Sequence, residues 1–299
     1  MNRTRLIALI MALAMLLSLA ACSSEEASSE NATEEENPLS TEPTAEVGDD
    51  GEMIYEGANG KCLFENEACS ITLMKAEIDS LSDYCWDVTL VNSSTSAQIF
   101  TVDEVFVNDY SFDPVWAVRV EAGQTLNESI IWSSPEMEAR GIMQITRVDL
   151  RLRVYAQDDH SQEYANVHLT SYPSGKSAYI PQTRNPKTTD VVLMDTADFT
   201  VIITGFDPDD RWGSAMKMYL LNKTQTTAVF TLENVIVGGF DLDPQFKRVL
   251  PAGKQVLADV LWFESDLEEV GTINGITFDL VIRDTDGNGL VQSSHVYVP

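Results

Sequence analysis

The sequence predicts an all-β protein: two tandem antiparallel β-sandwiches behind an apolar leader and an acidic tether. Three observations carry this expectation. First, the stretch from Val88 to Trp132 is written again, without a gap, from Met218 to Trp262. Leu90, Asn92, Phe100, Thr101, Val105, Val107, Asp113, Pro114, Gly123 and Trp132 meet identical residues at Leu220, Asn222, Phe230, Thr231, Val235, Val237, Asp243, Pro244, Gly253 and Trp262. Such self-similarity means two copies of one structural unit. Second, both copies are made of short runs in which apolar and polar residues alternate, the period of a half-buried strand. Third, no stretch beyond the leader has a helical period.

Length and charge set the bounds. A chain of 299 residues accommodates two ordinary domains. Its 47 acidic residues against 19 Lys and Arg give a formal charge of −28. Nucleic acid and anionic lipid are bound through Lys and Arg contacts to phosphate, so neither partner is expected.

The leader is Met1–Ala21, with basic Arg3 and Arg5 followed by an apolar run too short to span a bilayer comfortably. It ends in Leu19-Ala20-Ala21-Cys22. This resembles the lipobox of bacterial lipoproteins. The resemblance implies cleavage between Ala21 and Cys22, lipidation of the Cys22 thiol, and a protein anchored on the extracytoplasmic face of the cell membrane. Two or three acyl chains anchor durably where one does not. From Cys22 to Gly60 the chain is rich in Ser, Glu, Thr, Ala and Pro, and every charged residue from Ser23 to Glu52 is acidic. Such a composition buries too little surface to offset its ordering entropy, so 22–60 is expected to be a disordered tether.

Copy one is expected over 61–172, a linker over 173–189 and copy two over 190–299. Each copy opens on a hairpin-like piece, 62–69 or 191–198. Strands follow at Ile71–Ile78 and Phe199–Phe206, then at Trp86–Asn92 and Met216–Asn222. The strand Ile99–Val107 breaks its alternation at Asp103-Glu104, and copy two does the same at Glu233-Asn234, which suggests a β-bulge. Ala122-Gly123 and Ala252-Gly253 read as hairpin turns. Ser134–Gly141 and Ser265–Gly271 each read as one helical turn closed by glycine. Ile145–Val154 and Ile273–Ile282 are the most regular strands. About seven short strands in a little over 100 residues describe a sandwich of immunoglobulin type.

The whole pattern is similar to immunoglobulin-like modules of unknown function in lipoproteins of Firmicutes. The resembling elements are Phe100-Thr101-Val102, Val107-Asn108-Asp109-Tyr110, Ala122-Gly123, Gly141-Ile142 and Ile145 with Asp158-Asp159. The family lends no catalytic residues. Copy two departs from it at Gly238-Gly239, where copy one has Asn108-Asp109.

Candidate chemistry is sparse. Asp284, Asp286 and Asn288 carry oxygen ligands at the spacing that opens a calcium loop, but His295 stands where the closing Glu belongs. Asp-Gly-Asn-Gly is equally a hairpin turn. A tight turn at Glu65-Asn66 would set Cys62 opposite Cys69, a candidate disulfide in an oxidising compartment. Tyr110, Phe112 and Trp116, with Phe240 and Phe246, surround the Asp-Pro turns, as core packing or as an exposed binding surface. No Gly-x-Ser-x-Gly, His-Glu-x-x-His or Cys-x-x-Cys occurs, so no cofactor and no catalysis are expected. A two-lobed transporter subunit would need helices that the chain lacks. The expected role is non-catalytic binding or scaffolding of another envelope protein or a wall component. The alternatives are an accessory subunit of an envelope complex, or a calcium-dependent or enzymatic module using the acidic loops.

Overall fold

In the computed structural model, residues 46–47, 52–57 and 59–299 are described. Cys22, Ala21, the leader and most of the acidic tether lie outside them. The described chain is almost entirely β. Copy one contains β1 (Glu46–Val47), β2 (Met53–Glu56), β3 (Lys61–Glu65), β4 (Cys69–Ile78), β5 (Tyr84–Asn92), β6 (Gln98–Val107), β7 (Tyr110–Phe112), β8 (Ala117–Val120), β9 (Thr125–Trp132), the helical turn α1 (Ser134–Ala139), β10 (Val148–Ala156) and β11 (Glu163–Tyr172). Copy two contains β12 (Val191–Asp195), β13 (Phe199–Asp210), β14 (Gly213–Asn222), β15 (Ala228–Val237), β16 (Phe240–Asp241), β17 (Lys247–Leu250), β18 (Gln255–Phe263), β19 (Ile276–Arg283) and β20 (Gly289–Tyr297).

Each copy folds as two facing sheets. In copy one, β3-β4-β5-β9 faces a sheet ordered β1-β2-β11-β10-β6, with β7 and β8 both on β6. In copy two, β12-β13-β14-β18 faces β16-β15-β19-β20, with β17 also on β15. The inward residues of each alternating strand meet in a core. Trp86, Leu90, Phe100, Leu152 and Trp132 pack in copy one, with the Trp86 and Trp132 rings edge to face at 5.4 Å. Met216, Leu220, Phe230, Leu280 and Trp262 occupy the same places in copy two.

The repeat explains several local features. Glu104 and Asn234 have φ of 49° and 51°, and the strand register slips beside both, so the paired bulges exist. Asn92 and Asn222 are fully buried. Each donates its amide to carbonyls on either side, Ser96 and Val120 or Thr226 and Leu250, and accepts from the turn that follows. Four-way use of one amide is how a buried polar side chain is satisfied, and it accounts for the identity of these asparagines. At α1 the expected serine cap is replaced: the Asp83 carboxylate of the β4–β5 turn accepts from the Ser134 N–H at 2.6 Å.

Two expectations are corrected. The part of 22–60 that the structure describes is not tether throughout. Met53–Glu56 pairs in parallel with Leu169–Tyr172, and Tyr55 is buried with its hydroxyl on the Leu63 carbonyl. Three apolar residues in a row, Met53-Ile54-Tyr55, are enough to seal a sheet edge, so copy one begins before Lys61. The second correction is register. Asn92 pairs with Cys69 and Asn222 with Phe199, so Cys69, not Ile71, is the counterpart of Phe199. Cys69 is a small buried hydrophobe.

Candidate functional site at the domain junction

The described residues from 46 onward belong to one compact unit, and the junction between the copies is its most polar interior. The Gln255 N–H donates to the Asp109 carbonyl at 3.0 Å, and Gln255 pairs in parallel with Tyr110. Through this contact β7 of copy one joins β18 of copy two, and the two domains share an eleven-stranded sheet.

Copy two offers this edge an apolar face. Ile202 and Tyr219, with Leu221 and Leu257, pack against the core of copy one. Tyr110 lies 6.4 Å from the Tyr219 ring. The same positions in copy one are Thr72, Thr89, Val91 and Asn127. The receiving face is therefore specific to copy two.

Beside it lies a buried cluster of four charges. The Lys254 ammonium donates to Asp109 at 2.9 Å and to Asp149 at 2.6 Å. Arg147 donates to Asp149 at 2.7 Å and lies 3.7 Å from Asp109. Tyr179 of the linker donates its hydroxyl to Asp109, and Thr170 places its hydroxyl on Asp149. Burial alone would lower Arg147, but the carboxylates of Asp149 and Asp109 outweigh it and hold the guanidinium above its ordinary range. Burial, reinforced by the Asp109 carboxylate, pushes Tyr179 upward, so it remains a neutral donor. Within the cluster two carboxylates face two cations, the pairing under which buried charges are tolerated, and the Glu52 carboxylate adjoins it on the Thr170 hydroxyl.

The linker is tied in as well. Gln182 donates to the Gly141 carbonyl at 2.7 Å and accepts at its own carbonyl from Gln255 at 2.7 Å. Arg184 makes a two-pronged pair with Asp190 at 2.6 and 2.7 Å and lies over the Tyr219 ring. The Arg184 bond and then the Lys187 N–H hold the Asp190 carboxyl below the usual aspartate range. A carboxylate whose folded value is depressed stabilises the fold fully above its unfolded value, about 3.9, and loses that contribution as pH falls through the folded value. Asp190→Asn is therefore expected to lower stability at neutral pH and to flatten the acid limb of the stability curve. Urea titrations of both proteins over that range measure it; parallel acid limbs would contradict the assignment.

Alongside the cluster a cleft of about 500 Å3 opens between the domains, with Arg147, Asp149 and His168 on one side and Gln225, Thr227 and Lys254 on the other. Its cations are already held by carboxylates, so it suits a neutral or zwitterionic polar group better than a free anion.

The sequence-predicted residues fall elsewhere. Tyr110, Phe112 and Trp116 are only 1, 5 and 9% exposed and belong to the core of copy one. For these three the core-packing reading holds, and Tyr110 in addition meets Tyr219 of copy two. Phe240 is 40% exposed, and Phe246 is half-buried beneath Arg248. The aromatic set is thus split by which copy's end is docked. Cys62 and Cys69 are free thiols. Cys62 lies across from Thr72, and Cys69 across from Asn92 on the other side of β4. The turn is wider than two residues and the register slips near Cys62, so the two thiols are not cross-strand partners and the expected bridge is absent. Burial pushes the Cys69 thiol up to about 11. In the Asp284 loop, one carboxylate oxygen accepts the Asp286 and Asn288 N–H groups and the other the Asn288 amide. These contacts are those of a hairpin turn. Among the described residues no cluster of three or more His, Cys, Asp or Glu could hold a metal ion.

No protein-family model matches the chain, and no curated protein matches it. Among solved structures, the Salmonella enterica SafA pilin in complex with the SafB chaperone is 12% identical over 78% of this chain and 98% of that one, with a TM-score of 0.24. The YadV chaperone is 9% identical over 71% and 92%, with a TM-score of 0.22. A protein of unknown function from Porphyromonas gingivalis W83 is 13% identical over 75% and 95%, with a TM-score of 0.20. At these TM-scores the likenesses carry no argument about what this chain binds.

Proposed function

We propose that the protein is a lipid-anchored, extracytoplasmic binding or scaffolding module that engages another envelope protein, without catalytic chemistry of its own. The observation that carries this reading is the junction. The charged groups of Asp109, Asp149, Arg147 and Lys254 serve one another and join two sandwiches into a single frame. A rigid frame of this kind presents loops and strand edges at fixed positions, which is how β-sandwiches recognise partners. The anchor rests on Leu19-Ala20-Ala21-Cys22. Cross-linking mass spectrometry on intact cells tests the role, with wild type beside Cys22→Ser. One dominant protein partner is expected for wild type. The variant is expected to lose acyl labelling and to be shed or left unprocessed. Absence of any reproducible partner would overturn the binding role, and unchanged labelling and retention of the variant would overturn the anchor.

A further inference from the structure

The two copies differ at one edge. In copy one the outer edge of β11 is sealed by β2, in parallel register: Met53 with Leu169, Ile54 with Thr170, Tyr55 with Ser171, Glu56 with Tyr172. All four of these β11 residues are buried. In copy two, β19 and β20 pair as β10 and β11 do, with Ile276 opposite Tyr297 as Val148 is opposite Ser171. The counterparts of the sealed residues are therefore His295, Val296, Tyr297 and Val298. Among the described residues no strand covers them: β20 ends its sheet. Val296 and Val298 are 71 and 69% exposed. On the facing sheet the edge strand β12 leaves Val191 and Val192 exposed too.

The sequence explains the gap. The offset that relates the copies sets Met53-Ile54-Tyr55-Glu56 against Thr183-Arg184-Asn185-Pro186. Proline cannot donate to a ladder. Arg184 is committed to Asp190 and Tyr219. The linker segment aligned with β2 is spent on the domain junction, where neighbouring Gln182 bonds Gly141 and Gln255. What remains is an apolar edge with unpaired backbone groups, a surface that natural sheets usually protect with charge or cover.

We propose that β20 receives a strand from a partner protein: an extended segment, parallel to β20, with alternate apolar side chains and an aromatic one where Tyr55 stands in copy one. A second copy of this chain is the weaker candidate, because its own matching segment, β2, is already paired. The proposal rests on the binding role above and names its surface.

A synthetic peptide spanning residues 50–58 of this chain is the probe, since its sequence fits the equivalent edge. Added to the folded protein at roughly ten times its Kd, it is expected to slow amide exchange in the His295–Val298 stretch about tenfold. The effect is expected to vanish in V296K/V298K, whose substitutions fall on exposed positions, and with a peptide carrying Tyr55→Ser. Absence of protection in this stretch, or protection that survives V296K/V298K, overturns the proposal. A homodimer that V296K/V298K dissolves would give the edge to a second copy and overturn it as well. None of these readouts depends on a cellular partner, so the strand site and the binding role can fail separately.

Discussion

Lys254→Met is expected to lower the unfolding free energy by about 3–5 kcal/mol and to split one cooperative transition into two. The magnitude is that of removing one partner from a buried ion pair, which leaves the other charge without compensation. Here two carboxylates are stranded, Asp109 and Asp149, with only Arg147 to share between them. The methionine keeps the length and packing of the side chain over Phe106, which lies 5.1 Å from the ammonium. The loss therefore reports charge and not volume. Because Lys254 is in copy two and both carboxylates are in copy one, the loss falls on the junction, while each core remains filled. Scanning calorimetry reads both effects. In the double variant Lys254→Met/Asp109→Asn the remaining Asp149 carboxylate is matched by Arg147, and much of the stability is expected to return. A single unshifted transition for Lys254→Met would contradict the clamp.

Trp262→Ala is the second large effect, at about 3–5 kcal/mol for truncating a buried tryptophan. Its ring is fully buried and its indole N–H donates to the Leu242 carbonyl at 3.3 Å. Truncation leaves a cavity among Met216, Phe230 and Leu280 that neighbouring strands, held by their ladders, cannot close. With the junction intact, copy one and copy two are expected to unfold together at a lower denaturant concentration. In the Lys254→Met background the same substitution is expected to move only the transition of copy two. Tryptophan fluorescence and circular dichroism under urea separate these cases. Equal shifts of both transitions in the double variant would mean that coupling survives without Lys254.

The strands, bulges and turns were legible because they follow from local alternation and appear twice. The bulge at Glu104 and Asn234 shows this best, since two independent breaks in phase fall at one place. The junction was not legible. Asp109, the neighbours Arg147 and Asp149, and Lys254 come from three separated parts of the sequence, and each sits on an otherwise ordinary strand end or turn. The available signal was divergence between copies: Gly239, Gly275 and Thr277 stand where copy one has Asp109, Arg147 and Asp149. Read as a departure from a pattern, that difference looked incidental; read as a place where one copy is docked and the other is not, it marks the interface. The aromatic set was left open between core and surface for the same reason. Tyr110 and Phe240 are equivalent in sequence, yet Tyr110 is buried beside Tyr219 of copy two and Phe240 is exposed. The cysteine bridge failed for a local reason, a hairpin whose turn is longer and whose register slips near Cys62.

Residual dipolar couplings on the wild-type protein test the central claim, that the two sandwiches form one rigid frame. Couplings from the cores of copy one and copy two are expected to fit a single alignment tensor in magnitude and orientation. Two tensors of different magnitude would show independent domain motion across the β7–β18 contact and would contradict the account.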